Sequence, residues 1–230
     1  MKAWFNQFRD GGGGGLGPVL AGYVVVLLLL VVAVTAEAQI PSSAWQYERQ
    51  LTREARAVFG VEAPVSRLAG QLHQESSWRP DVCSWAQACG LAQFIPSTAE
   101  WMAEMHPSRL APADPANPAW AIQAQVLFND WILNRIRVDD GCQQWAMTLS
   151  AYNGGIGWIN RDRRLAAEAG ADADIWFGHV EHYTARADWA RRENRDYVRR
   201  ILLDLEPRYA NAGWQGSPIC LRQDRRCSRD

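Results

Sequence analysis

Between Val65 and Trp78 the chain reads VSRLAGQLHQESSW, and Val65, Leu68, Ala69 and Leu72 stand at offsets of zero, three, four and seven. That is the apolar stripe of a helix buried along one face, and it excludes a strand, whose buried residues alternate. Glu75 and Ser76 continue the stripe. A carboxyl carried into an apolar face loses hydration in its charged form, so its pKa rises from about 4.3 toward neutrality and it becomes a proton donor. A glutamate at the end of such a stripe is more often salt-bridged or turned to solvent, so the reading needs support from the rest of the chain.

Further helical stretches run from Trp45 to Phe59, ending near Gly60, and from about Thr98 to His106, Trp120 to Val138, Gln143 to Asn153 and Ala187 to Leu205. Pro107, Pro112, Pro115 and Pro118 punctuate them, and no run of alternating strands is present. The expected fold is mainly α, a single domain over 39–230 with its core at about 65–205 and a tail at 206–230, behind an N-terminal segment over 1–38. At 48% hydrophobic content, 230 residues bury one sizeable core. A net charge of −1 argues against a nucleic-acid binder, although Ala185 to Asp230 carries eleven Arg against seven acidic residues.

Val19 to Ala36 is an uncharged apolar run preceded by Lys2 and Arg9 and followed by Ala36-Glu37-Ala38. It reads either as a signal peptide cleaved after Ala38 or as a single inner-membrane anchor over 19–36, and its length favours retention. Both readings leave the amino end cytoplasmic and export the remainder to the periplasm. All five cysteines lie in the exported part, in keeping with an oxidising compartment. Two local bridges are expected, Cys83 with Cys89 and Cys220 with Cys227, leaving Cys142 over; the odd count keeps the pairing open. Neither a metal nor a cofactor is expected, since there is no C-x-x-C pair and no ligand spacing among the histidines beyond His179/His182.

After Glu75-Ser76 come Gly90-Leu91-Ala92-Gln93, then Ala151-Tyr152-Asn153-Gly154-Gly155, then Glu193-Asn194-Arg195-Asp196-Tyr197-Val198. In order and spacing these four motifs resemble those of the soluble-lytic-transglycosylase catalytic domain, over roughly 60% of the chain. The resemblance implies the lysozyme-like superfamily, close to goose-type lysozyme, acting as a monomer on peptidoglycan glycan strands. It gives Glu75 the role of acid and then base, and makes Tyr197 and Tyr152 catalytic partners that orient or polarise it. Ser76 would hold the glutamate or the substrate, Gln93 and Asn153 would contact the sugar, and Gly90 would let its loop approach it. Each has a plainer alternative: a helix-surface serine for Ser76, a helix stop for Asn153, core packing for Tyr197. Ala92 departs from the family pattern, where methionine is usual.

The implied reaction cleaves the bond between N-acetylmuramic acid and N-acetylglucosamine without water, closing the muramoyl 6-hydroxyl onto the anomeric carbon. Ordinary glycosidases use two carboxylates, and no second acid is assigned to a motif position here. The alternatives are a goose-type hydrolase and a non-enzymatic wall-binding protein. A compact domain behind one export segment suits a phage or prophage endolysin of the signal-arrest type, with a resident wall-remodelling or secretion-associated enzyme as the other role. Trp78 or Trp85 could line the cleft, Trp78 more as support for the catalytic helix, while most of the twelve tryptophans belong to the core.

Overall fold

In a computed structural model of the chain, residues 39–220 are described. The apolar run at 19–36, Cys227 and the end of the arginine-rich tail lie outside them. Among the described residues no helix is long and apolar enough to cross a membrane. Among the described residues the architecture is helical, with only the isolated bridges Cys83 to Cys89 and Cys89 to Phe94 in extended pairing.

A 3-10 turn, Ser42–Tyr47, leads into α1 (Glu48–Phe59), which stops at Gly60 in the left-handed region (φ 75°). Then come α2 (Val65–Ser76), α3 (Pro96–Met105), the short α4 (Pro107–Leu110), α5 (Pro118–Leu133), α6 (Gly141–Gly154), α7 (Ile156–Glu168), α8 (Asp188–Arg199) and α9 (Glu206–Asn211). Several boundaries follow local chemistry. The Asn117 side chain accepts from the amides of Ala119 and Trp120, with Pro118 in the first turn, and the Asp140 side chain accepts from Cys142 and Gln143.

Two sequence expectations are corrected and one helix is added. The helix starting near Trp120 ends at Leu133 rather than Val138, where Asn134 turns its amide back onto Asp130. An additional helix, α7, fills a stretch that carried no expectation. The last helix does not end at Leu205 but passes through a π-type segment, Arg200–Leu205, into α9. Pro207 explains the widened turn: it has no N–H and crowds the carbonyl four residues earlier, so a regular helix cannot run through it.

Helix α2 forms the centre. Val65, Leu68, Ala69 and Leu72 are fully buried, as the stripe requires. On its opposite side Gly70 meets the π-type segment so closely that an added Cβ would lie 3.1 Å from Leu205 Cβ, a tight contact that a larger residue could make only if the segment shifted by a few tenths of an ångström. Beside this contact the buried Arg67 guanidinium pairs with Glu206 at 2.6 Å and covers the Trp145 ring at 4.5 Å. The pair is worth keeping intact, since a buried charge left alone costs several kcal/mol.

The cysteine expectation is half corrected. Cys83 is bonded to Cys89, but Cys220 is bonded to Cys142, not to Cys227. Ile219 packs onto Gly141 at the start of α6, which brings Cys220 to that helix end. Because this bridge closes 78 residues, Cys142→Ser should lower stability by about 2–4 kcal/mol, read as a drop in melting temperature. Peptide mapping of the unreduced protein should recover the 142–220 pair; a 220–227 pair would refute the assignment.

Candidate active site

The C-terminal ends of α2 and α6, the loop after α2 and the start of α8 enclose a cavity of about 640 Å³. Glu75, Gln93, Tyr152 and Asn153 line it, together with Glu193, Trp85, Trp158, Arg186 and Trp189.

Glu75 sits in the last turn of α2, which ends abruptly: Ser77 and Trp78, neither a glycine, are both left-handed (φ 52° and 60°). Such backbone costs about 1–3 kcal/mol per residue. The offset comes from Trp78, which is fully buried, stacks on Tyr47 with centroids 5.9 Å apart and donates its indole N–H to the Tyr209 hydroxyl at 2.5 Å. The sharp end leaves the carboxyl at the cavity wall.

The Glu75 side chain as a whole is partly shielded, and its carboxyl is closely surrounded. Desolvation therefore pushes its pKa up to about 8, with the negative Glu193 adding to the rise and a hydrogen bond from Tyr197 opposing it. The Tyr197 hydroxyl donates to Glu75 Oε1 at 2.5 Å. Its proton has no other direction to take, because the Tyr197 oxygen itself accepts from Gln71 Nε2 at 3.2 Å. Gln71 is oriented in turn: its Oε1 accepts from Gln125 and Asn129 at 2.9 and 2.8 Å. Burial, and then the Glu75 charge, hold both Tyr197 and Tyr152 well above the usual phenol pKa, so both remain neutral donors.

The other residues expected at the site take varied positions. The Tyr152 hydroxyl donates to the Ala92 carbonyl at 3.0 Å, not to Glu75, tying α6 to the loop before Gln93. Ser76 is buried and donates to the Leu91 carbonyl at 2.9 Å, fixing that loop from beneath; it does not line the cavity. Gln93 stands in the left-handed region (φ 50°) and spends both amide protons on Gly90 and Val82 carbonyls, at 2.9 and 3.1 Å, so it presents its oxygen. Asn153 Oδ1 accepts from Asn194 at 2.7 Å, and Asn194 is also bonded to the Ser150 hydroxyl and carbonyl, which locks α8 against α6. Gly90 needs its freedom for a different neighbour than a sugar: an added Cβ would lie 1.9 Å from the Pro115 carbonyl oxygen.

Sequence reasoning missed Gln71, Asn194, Glu193, Arg186 and Trp158. Gln71 stands four residues before Glu75 on the same helix face, and Glu193 four before Tyr197, so helical spacing was the available signal. Arg186 carried none; it pairs with Asp162 at 3.1 Å and fills the space beside Gly154, where an added Cβ would meet it at 2.6 Å. Among the described residues no cluster of three or more His, Cys, Asp or Glu could hold a metal ion.

The family model described as Transglycosylase SLT domain matches residues 60–175. A membrane-bound lytic murein transglycosylase F of Maricaulis maris (strain MCS10) is 34% identical over 147 residues, 58% of this chain and 30% of the relative. Another, from Pasteurella multocida (strain Pm70), is 30% identical over 111 residues, 47% of this chain and 21% of the relative. The chain thus spans less than a third of the length of these curated relatives. Among solved structures, the 70 kDa soluble lytic transglycosylase SLT70 of Escherichia coli matches with a TM-score of 0.54 at 22% identity, covering 76% of this chain and 26% of that one. An inactive mutant of lytic transglycosylase Slt from Pseudomonas aeruginosa gives 0.53 at 21%, covering 74% and 25%. At these identities the likeness speaks for the fold.

Glu75 makes a signed prediction. Its carboxyl binds a proton more tightly folded, at about 8, than at the ordinary 4.5, so this contribution to stability is present at low pH and is lost as pH rises from about 4.5 to about 8. Glu75→Gln keeps the shape without titrating. The variant's melting temperature should gain on the wild type's steadily across that range, whereas parallel melting profiles would mean a carboxyl of ordinary pKa.

Proposed function

From the premise that the chain belongs to the transglycosylase SLT domain family, we propose that it is a peptidoglycan lytic transglycosylase with Glu75 as its single acid and base. The observation that carries this is the Glu75 carboxyl itself, desolvated, with a pKa pushed to about 8, held by Tyr197 at the wall of an open cavity. A group titrating near neutrality can give a proton and take one back in the same turnover. The names of the curated relatives agree with this chemistry.

In the proposed reaction protonated Glu75 delivers its proton to the glycosidic oxygen between N-acetylmuramic acid and N-acetylglucosamine. The muramoyl 2-acetamido oxygen assists from the far face as that bond breaks. The Glu75 carboxylate, stabilised by the Tyr197 hydroxyl, then takes the proton of the muramoyl 6-hydroxyl, whose oxygen closes onto the anomeric carbon. Acid and base are restored and no water is consumed. Gln93, presenting its carbonyl oxygen, and Asn153, whose amide nitrogen is left to donate, serve the acetamido and hydroxyl groups of the sugar; Tyr152 and Ser76 serve by fixing the loop that bears Gln93.

A second reading has one specific support. Glu193 is an exposed carboxylate on the same cavity, and a second carboxylate could activate water in a goose-type hydrolase. For the biological role, the apolar run at 19–36 fits delivery to the periplasmic face of the inner membrane, as in a signal-arrest endolysin of a phage. Full-length protein fractionating with membranes at its uncleaved mass would support that delivery, and a mature N-terminus at Gln39 would refute the anchor.

Digestion of purified peptidoglycan should yield 1,6-anhydro-muramoyl ends, lighter by one water than reducing ends; mass spectrometry finding only reducing ends would transfer the reaction to the hydrolase. Glu75→Gln should lose more than about a thousandfold in rate, and Tyr197→Phe roughly ten- to a hundredfold. Near-normal digestion by folded Glu75→Gln protein would end the assignment.

A further inference from the structure

Of the exposed indoles, Trp45 leans on the Trp214 ring at 5.6 Å, and in the half-buried set Trp101 packs on Trp131 at 4.9 Å while Trp158 lies beneath Arg161 and Arg186. Trp85 and Trp189 are 94% and 63% exposed, and among the described residues neither has a ring partner or a cation over its face. Both line the cavity that holds Glu75. A large apolar surface left in water costs about 25 cal/mol per Å² against burying it, and here the two unpartnered indoles converge on one cleft rather than scatter over the surface.

They are also held in place. Trp85 sits in the loop closed by the Cys83–Cys89 bond, which is tightened by the Ser84 amide on the Ala88 carbonyl at 2.8 Å and by a left-handed Gln87 (φ 59°). Trp189 is the second residue of α8, the helix that delivers Tyr197 to Glu75. Their backbone attachments therefore keep a fixed relation to the Glu75 carboxyl, and the rings contribute nothing to the core.

Resting on the reading of the cleft as a glycan site, we infer that Trp85 and Trp189 are stacking platforms for sugar units of the strand that passes Glu75. A β-1,4-linked amino sugar carries its hydroxyl, acetamido and glycosidic substituents equatorially, so both ring faces present C–H groups. An indole covers such a face while the equatorial groups remain free to hydrogen-bond, and a rigid two-torsion side chain loses little entropy in doing so. The platforms set affinity for a polymer rather than the chemistry at Glu75.

The test uses Glu75→Gln protein, so that binding is measured without turnover, titrated calorimetrically with an N-acetylglucosamine hexasaccharide. Trp85→Ala and Trp189→Ala should each weaken binding about tenfold, or about 1.4 kcal/mol, with Phe at either position restoring most of the loss and melting temperatures unchanged. Undiminished affinity in both Ala variants would overturn the platforms, as would a lowered melting temperature, which would make the rings packing residues. Wall digestion by the wild type is scored separately: its absence would remove the lytic reading, whereas intact digestion with unaltered hexasaccharide affinity would remove the platforms alone.

Discussion

The Tyr197 hydroxyl reaches Glu75 across 122 residues of sequence at 2.5 Å, and much of the fold can be understood as what makes that hydrogen bond possible and gives it a direction. The bond needs α8 laid beside α2. Asn194 supplies one fastening by bridging Ser150 and Asn153 on α6, while Gly70, where an added Cβ would stand 3.1 Å from Leu205 Cβ, eases the packing of the π-type segment beyond α8 on α2. The buried Arg67–Glu206 pair secures the same contact one turn earlier. The direction comes from Gln71: because its amide donates to Tyr197 while its oxygen is saturated by Gln125 and Asn129, the tyrosine must give its proton to the carboxyl.

Burial and that donor act on Glu75 in opposite senses. Desolvation favours the neutral acid and dominates, while the hydrogen bond from the tyrosine favours the anion. A carboxyl buried without a donor would give its proton too reluctantly, and one supplied with several donors would already be ionised. The group stands at a strained helix end anchored by the buried Trp78, on the wall of the cavity.

The wall opposite the helix is built from backbone as much as from side chains. Ser76, Tyr152 and Gln93 direct hydrogen-bonding capacity to the carbonyls of Leu91, Ala92, Gly90 and Val82. Three residues expected at the site, Tyr152 as a catalytic partner and Ser76 and Gln93 as substrate contacts, thus hold the loop from three sides, and Gly90 lets it pass under the Pro115 carbonyl. The loop offers a fixed shape, and the chain's departure at Ala92 alters a buried position of it rather than an exposed one.

Helix α2, its apolar face, the place of Glu75 at its end and the helical character of the chain were legible in the sequence, because each depends on spacing within a few residues. The order of the four motifs carried the family. What required the tertiary structure were relations between segments far apart in the chain: that Cys220 meets Cys142 rather than a near neighbour, that Pro207 is absorbed by a widened turn instead of ending the last helix, that Tyr152 faces a carbonyl and Tyr197 the carboxyl. Gln71 and Glu193 were visible only as ordinary polar residues on helix faces. A hydrogen bond or a Coulombic push depends on distance in space, and one-dimensional spacing fixes that distance only within a helix; between helices, packing decides it.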